Sequence, residues 1–274
     1  MNPSQLIQTE TEQSNQSGPC GASQSDRELA GNFPGPISSG APCDRAQLPD
    51  GRGEFFRELP MEALNDFQSR AIYFNCAAAT ILIKERQPPS NVLFLLSGKV
   101  CVSMSSAAGR RLILDIAGPG EILGLIAAIS GNCSAIRAEA RYPCRIALLE
   151  RQDFLNFLLR HPVAGRNIAR ELSRHSMRAC NKLKIVGLGS SVEAKLAGLL
   201  LEWCSGSRQT ERGSEIRFLL THEEVGECIG TSRETVTRSL NDLKSLGLVE
   251  QRRSTLIVPD RDALAKHAGI GPVH

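Results

Sequence analysis

Short apolar runs of four to seven residues, broken by Gly, Pro, Ser and Asn, recur between Arg70 and Leu149. AIYF, TILIK, NVLFLL, GKVCVSM, RRLILDI, SAIRAEA and CRIALL each have the length and texture of a strand. Their spacing of roughly 8 to 12 residues is that of an antiparallel sandwich or barrel. Gly98, Ala108-Gly109 and Gly118-Pro119-Gly120 fall between runs, where turns call for positive φ angles. Ahead of this region FFRELPMEALNDFQ predicts a short helix with Phe55, Phe56, Leu59, Leu64 and Phe67 on its apolar side.

Past Leu149 the apolar spacing changes to the 3.6-residue period of a helix. RQDFLNFLLRHP predicts one helix, with Phe154, Leu155, Leu158 and Leu159 on one side, His161 at its end and Pro162 beyond. A longer one runs from Val163 to about Gly187. Within it Gly165, Ala169, Leu172, Ser176, Ala179, Leu183 and Val186 alternate spacings of four and three, the seam of a coiled coil. A helix with so narrow an apolar stripe needs a partner, and a second copy of the chain supplies one through two-fold symmetry. Arg166, Arg170, Arg174, Arg178 and Lys182 recur at every fourth residue beside that seam. Such a stripe is either a solvated face or a field that attracts a polyanion.

The final third opens with SSVEAKLAGLLLEWC, a predicted helix burying Val192, Leu196, Leu199, Leu200 and Trp203, followed by a polar loop to Glu215 and a strand IRFLL. Next comes LTHEEVGECIGTSRETVTRSLNDLKSLGLVEQRRSTLIVPD. Thr221 with Glu224 has capping-box spacing, and Thr231 with Glu234 repeats it ten residues later. Two helices therefore start in quick succession around Gly230, which is a helix-turn-helix. In the second helix Val236, Leu240 and Leu243 point inward. Thr231 and Ser232 lie at its start, and Arg233, Glu234, Thr237, Arg238 and Asn241 point outward. Gly247 ends it, and LVEQ pairs with TLIV across RRS as a two-stranded wing.

Composition narrows the picture. A chain of 274 residues with 41% hydrophobic and 22% charged residues is long enough for two compact domains. No apolar run approaches the roughly 20 residues that span a bilayer, and the start MNPSQLIQTETEQSNQSGP has no signal or transit character, which predicts a cytoplasmic protein without a membrane partner. Residues 1–50 are rich in Ser, Gln, Gly and Pro and predict a disordered leader. Nine cysteines stand at 20, 43, 76, 101, 133, 144, 180, 204 and 228 with no C-x-x-C, so compact zinc spacings are excluded and most read as buried thiols. Net charge is +3, yet residues 188–274 carry eleven basic and twelve acidic groups. Bulk charge thus does not announce nucleic acid, and any such reading must come from a local motif.

That motif is Arg233, Glu234 and Arg238. An arginine near the start of a helix lying in the major groove donates two parallel hydrogen bonds to guanine O6 and N7, and a glutamate accepts from cytosine N4. The bland alternative is a surface salt bridge between Glu234 and Arg238, worth a few tenths of a kcal/mol. The adjoining turn, caps and wing favour base reading.

With these features the chain resembles the CRP/FNR transcription regulators. The likeness covers about residues 51–262, strongest in EEVGECIGTSRETVTRSLNDLKSLGLVE and fair in LLSGKV and GPGEILG. It implies an α+β protein: an N-terminal antiparallel β-roll (a cyclic-nucleotide-binding-like jelly roll), a long dimerisation helix and a C-terminal winged helix-turn-helix. It places Arg233, Glu234 and Arg238 at base-reading positions and implies a palindromic operator with half-sites akin to TGTGA or TTGA. Double-stranded DNA, a second copy and RNA polymerase are the implied partners.

The likeness departs at the nucleotide pocket. Relatives that bind cyclic AMP carry a glutamate after the glycine of G-E-[aliphatic] and an arginine in R-[ST]-A. The matching positions here read Gly124-Leu125-Ile126 and Cys133-Ser134-Ala135. Both charged anchors are replaced, and each charge-assisted hydrogen bond is worth about 1.5 to 3 kcal/mol. Gly124, Leu125, Cys133 and Ser134 remain the candidate effector pocket, for a small molecule not named by the sequence. An iron-sulfur cluster fails on spacing, because the leader offers Cys20 and Cys43 alone. Haem ligation by Cys76 or Cys101 is a weaker reading than packing, and Cys133 near Arg137 is the candidate redox thiol. No cofactor is called for. His161, His175, His222, His267 and His274 are scattered without a nucleophile or a Gly-rich phosphate loop, which argues against an enzyme.

The expected organisation is a leader 1–50, a β-roll effector domain 51–160, a dimerisation helix 161–187 with Leu172, Ser176, Ala179, Leu183 and Val186 in its interface, a winged helix-turn-helix 188–262 and a tail 263–274. The expected function is a homodimeric, sequence-specific transcription regulator whose β-roll does not sense cyclic AMP. The alternative is a ligand- or redox-sensing module that acts through a protein partner.

Overall fold

A computed structural model describes residues 53–205, 207–217, 220–252 and 255–269. The expected leader, with Cys20 and Cys43, lies outside them. A 3-10 turn Glu54–Phe56 precedes helix α1 Met61–Arg70. The continuous helix expected over this stretch is interrupted because Pro60 stands before the first turn of α1, where a proline caps rather than propagates.

Eight strands follow: β1 Ile72–Cys76, β2 Ile81–Ile83, β3 Asn91–Ser97, β4 Val100–Ser105, β5 Arg111–Ala117, β6 Ile122–Leu123, β7 Arg137–Ala140 and β8 Cys144–Glu150. They form two antiparallel four-stranded sheets, ordered β1-β8-β3-β6 and β2-β7-β4-β5. Strand alternation explains the layers. Leu93, Leu95, Ile146 and Leu148 of the first sheet share a buried cluster with Val100, Val102, Ala138 and Ala140 of the second. Val92, Phe94, Ala147 and Leu149 point the other way, into the helices. The outer face of the second sheet presents Cys101 and Ile113 to the C-terminal domain. Strand β6 and helix α2 Leu125–Ser130 were not legible as separate elements, being only two and six residues long.

Helix α3 Arg151–Arg160 buries Phe154 and Phe157, while Leu155 and Leu158 are half-buried. Leu159, expected inside, is 82% exposed. The helical stripe here runs 154, 157 and 158, so Phe157 takes the place assigned to Leu159. Phe55, Phe67, Phe94, Phe154 and Phe157 form one aromatic core, with the rings of Phe67 and Phe94 edge-to-face at 4.9 Å.

Asp66 of α1 ties this core to the following helices. Its carboxylate accepts from Arg70 Nε at 2.8 Å and lies 3.1 Å from Arg160 and 2.9 Å from His161 Nε2. Burial opposes its charge, but Arg70, His161 and Arg160 outweigh burial and hold the carboxyl below its usual value. A depressed carboxyl stabilises the fold above the unfolded pKa of about 3.9 and loses that contribution as pH falls through the folded value. Urea midpoints of the wild type should therefore drop on acidification below about pH 4. Asp66→Asn should be less stable at neutral pH and lose less on acidification; parallel acid limbs in the two proteins would disprove this role.

Helix α4 Pro162–Leu183 carries Ala164, Ile168, Glu171 and Lys182 on its inner face. Asn167 donates to the carbonyl oxygens of Phe55 (2.9 Å) and Arg57 (2.6 Å), latching the 3-10 turn to α4. The arginines of the basic stripe keep the solvated face expected of them, with side chains 43 to 51% exposed, and also carry ion pairs. Arg166 pairs with Glu58, Arg170 and Arg174 with Glu54, and Arg178 with Asp115 and Glu121, while Lys182 is buried. Past Leu183 the helix widens into a π-turn, Lys184–Leu188, before helix α5 Val192–Cys204.

The C-terminal domain adds β9 Arg208–Thr210, β10 Gly213–Arg217, helix α6 His222–Ile229, helix α7 Arg233–Ser245, the wing strands β11 Glu250–Arg252 and β12 Thr255–Val258, and helix α8 Arg261–His267. The wing is half of a four-stranded sheet ordered β11-β12-β10-β9, with β9 inside the segment expected to be loop. Residues 263–274, expected as a tail, begin inside α8, which buries Leu264 and Ala265 against the domain and is capped by Asp260. The polar residues around those two hid the helix. No helix among the described residues is long and apolar enough to cross a membrane.

Candidate nucleic-acid interface

The turn between α6 and α7 is built by two glycines. Gly230 ends α6 at φ +73°, and a Cβ on Gly226 would stand 2.6 Å from the carbonyl oxygen of Thr231. Close approach of the two helices therefore requires glycine at 226. The Thr221/Glu224 capping box is present, with Thr221 N donating to Glu224 Oε2 at 2.7 Å. The second box is not. Ser232, not Thr231, caps α7 and accepts from Thr235 N, so the third helical position is Thr235 and Glu234 is left outside the cap. Glu234 lies on the first turn of α7, where its own N–H, Ser232 and Arg233 keep its carboxyl below the usual value.

Val236, Leu240 and Leu243 are buried, which turns the opposite side of α7 to solvent. Arg233, Glu234, Arg238 and Asn241 are exposed there, with Ser232 at the cap. Among the described residues Arg233 and Arg238 make no ion pair or side-chain hydrogen bond, and no salt bridge joins Glu234 to Arg238. The bland surface-pair reading thus has no geometric support. Thr231 and Thr237 are half-buried. Thr237 Oγ1 donates to the carbonyl oxygen of Arg233 at 3.0 Å and meets His222 Nδ1 at 2.8 Å. His222 was missed as part of this surface. Burial, helped by Lys244 and Arg233, pulls its pKa down.

The β-roll grips α6, not the exposed side of α7. Arg141, beyond β7, makes a two-pronged contact with Glu224, one prong at 2.9 Å, and Arg111 lies 3.6 Å from Glu227. Burial works against the Glu224 charge, but Arg141 and the Thr221 cap more than offset it. Cys101 and Ile113 pack in the same buried cluster as Val225, Cys228 and Ile229. The capping-box spacing of Glu224 concealed this second task.

The expected effector pocket is small. Gly124 and Ser134 line a cavity of about 70 Å³ under the segment Gln87–Asn91, which is strapped down by Arg86 N to Ser134 O and Ser134 N to Gln87 O. Leu125 is turned out of it into the aromatic core, and half-buried Cys133 does not line it. Arg137, thought to activate Cys133, is held by Glu139 at 2.7 Å. Burial pushes the Cys76 thiol up to about 11 and the Cys101 thiol upward as well, as expected of packed thiols.

A double-sheet roll joined by a long helix to a winged helix-turn-helix with an open arginine face defines a class: sensor-coupled DNA-binding regulators. A family model described as a cyclic nucleotide-binding domain matches residues 74–161, and one described as a Crp-like helix-turn-helix domain matches residues 194–267. The chain belongs to the CRP/FNR family of transcription regulators. It is 25% identical over 185 residues, 67% of its length and 82% of the relative's, to a CRP-like cAMP-activated global transcriptional regulator of Mycobacterium tuberculosis. It is 28% identical over 172 residues, 63% of its length and 76% of the relative's, to the cyclic AMP receptor protein of Thermus thermophilus. Its fold is shared with FixK2 of Bradyrhizobium japonicum (TM-score 0.63, 20% identity, 74% of this chain and 99% of that one). A CooA variant from Carboxydothermus hydrogenoformans gives a TM-score of 0.64 at 21% identity, over 73% and 88% of the two chains.

Proposed function

We propose that this regulator works as a homodimer on a palindromic operator with TGTGA- or TTGA-like half-sites, read by Arg233, Glu234 and Arg238. Thr231, Ser232, Thr237 and Asn241 flank them and fix α7 against the backbone. The observation that carries the reading is that both arginines are exposed on one side of α7 with no partner among the described residues. The dimer forms along α4, where Ser176, Ala179 and Leu183 are exposed and Leu172 and Val186 half-buried.

The same reading holds that the β-roll does not sense cyclic AMP, unlike the relatives named for it. The cavity of about 70 Å³ is far below the roughly 300 to 1,000 Å³ of small-molecule sites. By the family resemblance Leu125 and Cys133 take the sequence positions of the carboxylate and guanidinium that hold ribose and phosphate, and neither lines the cavity. The full-length protein should therefore bind a TGTGA palindrome far better than a scrambled duplex at moderate salt, measured by fluorescence anisotropy, and cyclic AMP should leave both affinities unchanged. Equal binding to the two duplexes would refute base reading. A shift with cyclic AMP would refute the vacated pocket.

A further inference from the structure

Cys76 closes β1 and Cys144 opens β8, and the two stand opposite each other in the antiparallel register. Cα atoms facing across such a pair lie about 4.5 or 5.5 Å apart, and either spacing falls within the roughly 4.4 to 6.8 Å that a disulfide spans. The side chains also meet: the two thiols are in hydrogen-bonding contact, and the Cys144 N–H donates to the Cys76 sulfur. A Cβ on Gly98 would stand 2.6 Å from Cys144 Sγ, so glycine at 98 leaves the sulfur its room. Cys76 ends an edge strand and is the more open of the pair, 7% exposed against 3% for Cys144.

The pair also sits beside the contact between the domains. Cys144 Sγ donates toward the carbonyl oxygens of Tyr142 at 3.1 Å and Lys99 at 3.5 Å. The Lys99 oxygen accepts in addition from Arg141 N at 2.8 Å. One carbonyl thus ties the Cys144 thiol to the residue that clasps Glu224 on α6. A disulfide sulfur has no proton to donate, so oxidation withdraws this tether from the turn 141–143.

We propose that Cys76 and Cys144 form a dithiol site for peroxides, and that its oxidation to a cross-strand disulfide loosens the Arg141 clasp on α6. The Cys76 thiolate attacks one oxygen of hydrogen peroxide and breaks the O–O bond, giving a sulfenic acid and a hydroxide that takes up the proton Cys76 gave off. The Cys144 sulfur then attacks the sulfenic sulfur, forms the S–S bond and expels the oxygen as a second water. The two sulfurs lose two electrons, and the peroxide oxygens gain them. Burial pushes both thiols up, Cys76 to about 11, so the attacking thiolate is scarce at neutral pH and grows with alkalinity. Among the described residues the titratable group acting on each thiol is the other thiol.

Full-length protein is treated with hydrogen peroxide, quenched with catalase, alkylated with N-ethylmaleimide and mapped by mass spectrometry without reductant. A peptide pair joined through Cys76 and Cys144 should appear, about tenfold faster for each pH unit between roughly 7 and 9. Cys144→Ala should form no such pair and should accumulate a sulfenic acid at Cys76, captured by dimedone. Wild type whose Cys76 and Cys144 are both still alkylated, or are joined to other cysteines, overturns the site, whether or not the variant folds and whatever the duplex experiment gives. The coupling is read by hydrogen exchange. Oxidised wild type should lose protection along α6 to the level of reduced Arg141→Gln, and oxidising Arg141→Gln should cost no more. Equal protection of α6 in oxidised and reduced wild type overturns the coupling.

Discussion

Arg238→Ala should abolish most of the preference for a TGTGA palindrome over scrambled DNA while sparing the weaker, sequence-independent binding. The side chain is exposed and has no partner among the described residues, so its removal orphans no buried group there, and alanine is the better helix former. What is lost is one bidentate contact per half-site, about 1 to 3 kcal/mol each, and a symmetric dimer loses it twice. The expected discrimination therefore falls by about one to four orders of magnitude. Arg238→Lys separates charge from geometry: it keeps the phosphate-attracting cation but not the planar fork, so discrimination should stay low while salt dependence stays near wild type. A drop of the same size on both duplexes would mean that Arg238 serves only the backbone.

The features legible in the sequence were those with a short repeat. Seven of the β-roll strands announced themselves by apolar runs, because each such run follows from one strand burying a face. Contacts between elements were hidden. Nothing in a linear reading separates Glu224 as a cap from Glu224 as the partner of Arg141, since that pairing joins residues 83 apart. The ion pairs of the basic stripe on α4 were hidden for the same reason. Its counter-ions Glu54, Asp115 and Glu121 come from distant segments, and only the fold brings them within ion-pair distance. Within the reading helix the face was legible from its period, but the cap was not: Thr231 and Ser232 are both good caps, and the tight approach of Thr231 to Gly226 assigns the role to Ser232.

Leu183→Asp should convert the dimer to monomers. In a single chain Leu183 is 70% exposed, with Met177 at 60% and Leu188 at 80% farther along the same stretch. A large apolar side chain left this open contributes little to the fold of its own subunit, so the substitution spares that fold and tests only the interface. Burying a leucine contributes about 1.5 to 3 kcal/mol, and two-fold symmetry counts it twice. Losing about 3 to 6 kcal/mol weakens dimerisation by roughly two to four orders of magnitude, before the cost of facing two carboxylates across the seam is added. Sedimentation velocity should show the shift at micromolar protein, and circular dichroism should be unchanged. The consequence for DNA follows from geometry. A monomer presents one arginine face, so its affinity for the full palindrome should fall to that for an isolated half-site, where the wild type holds a large margin between the two. A variant that remains dimeric, or a monomer that still prefers the full palindrome, would show that α4 is not the seam and that the two reading helices are paired through another surface.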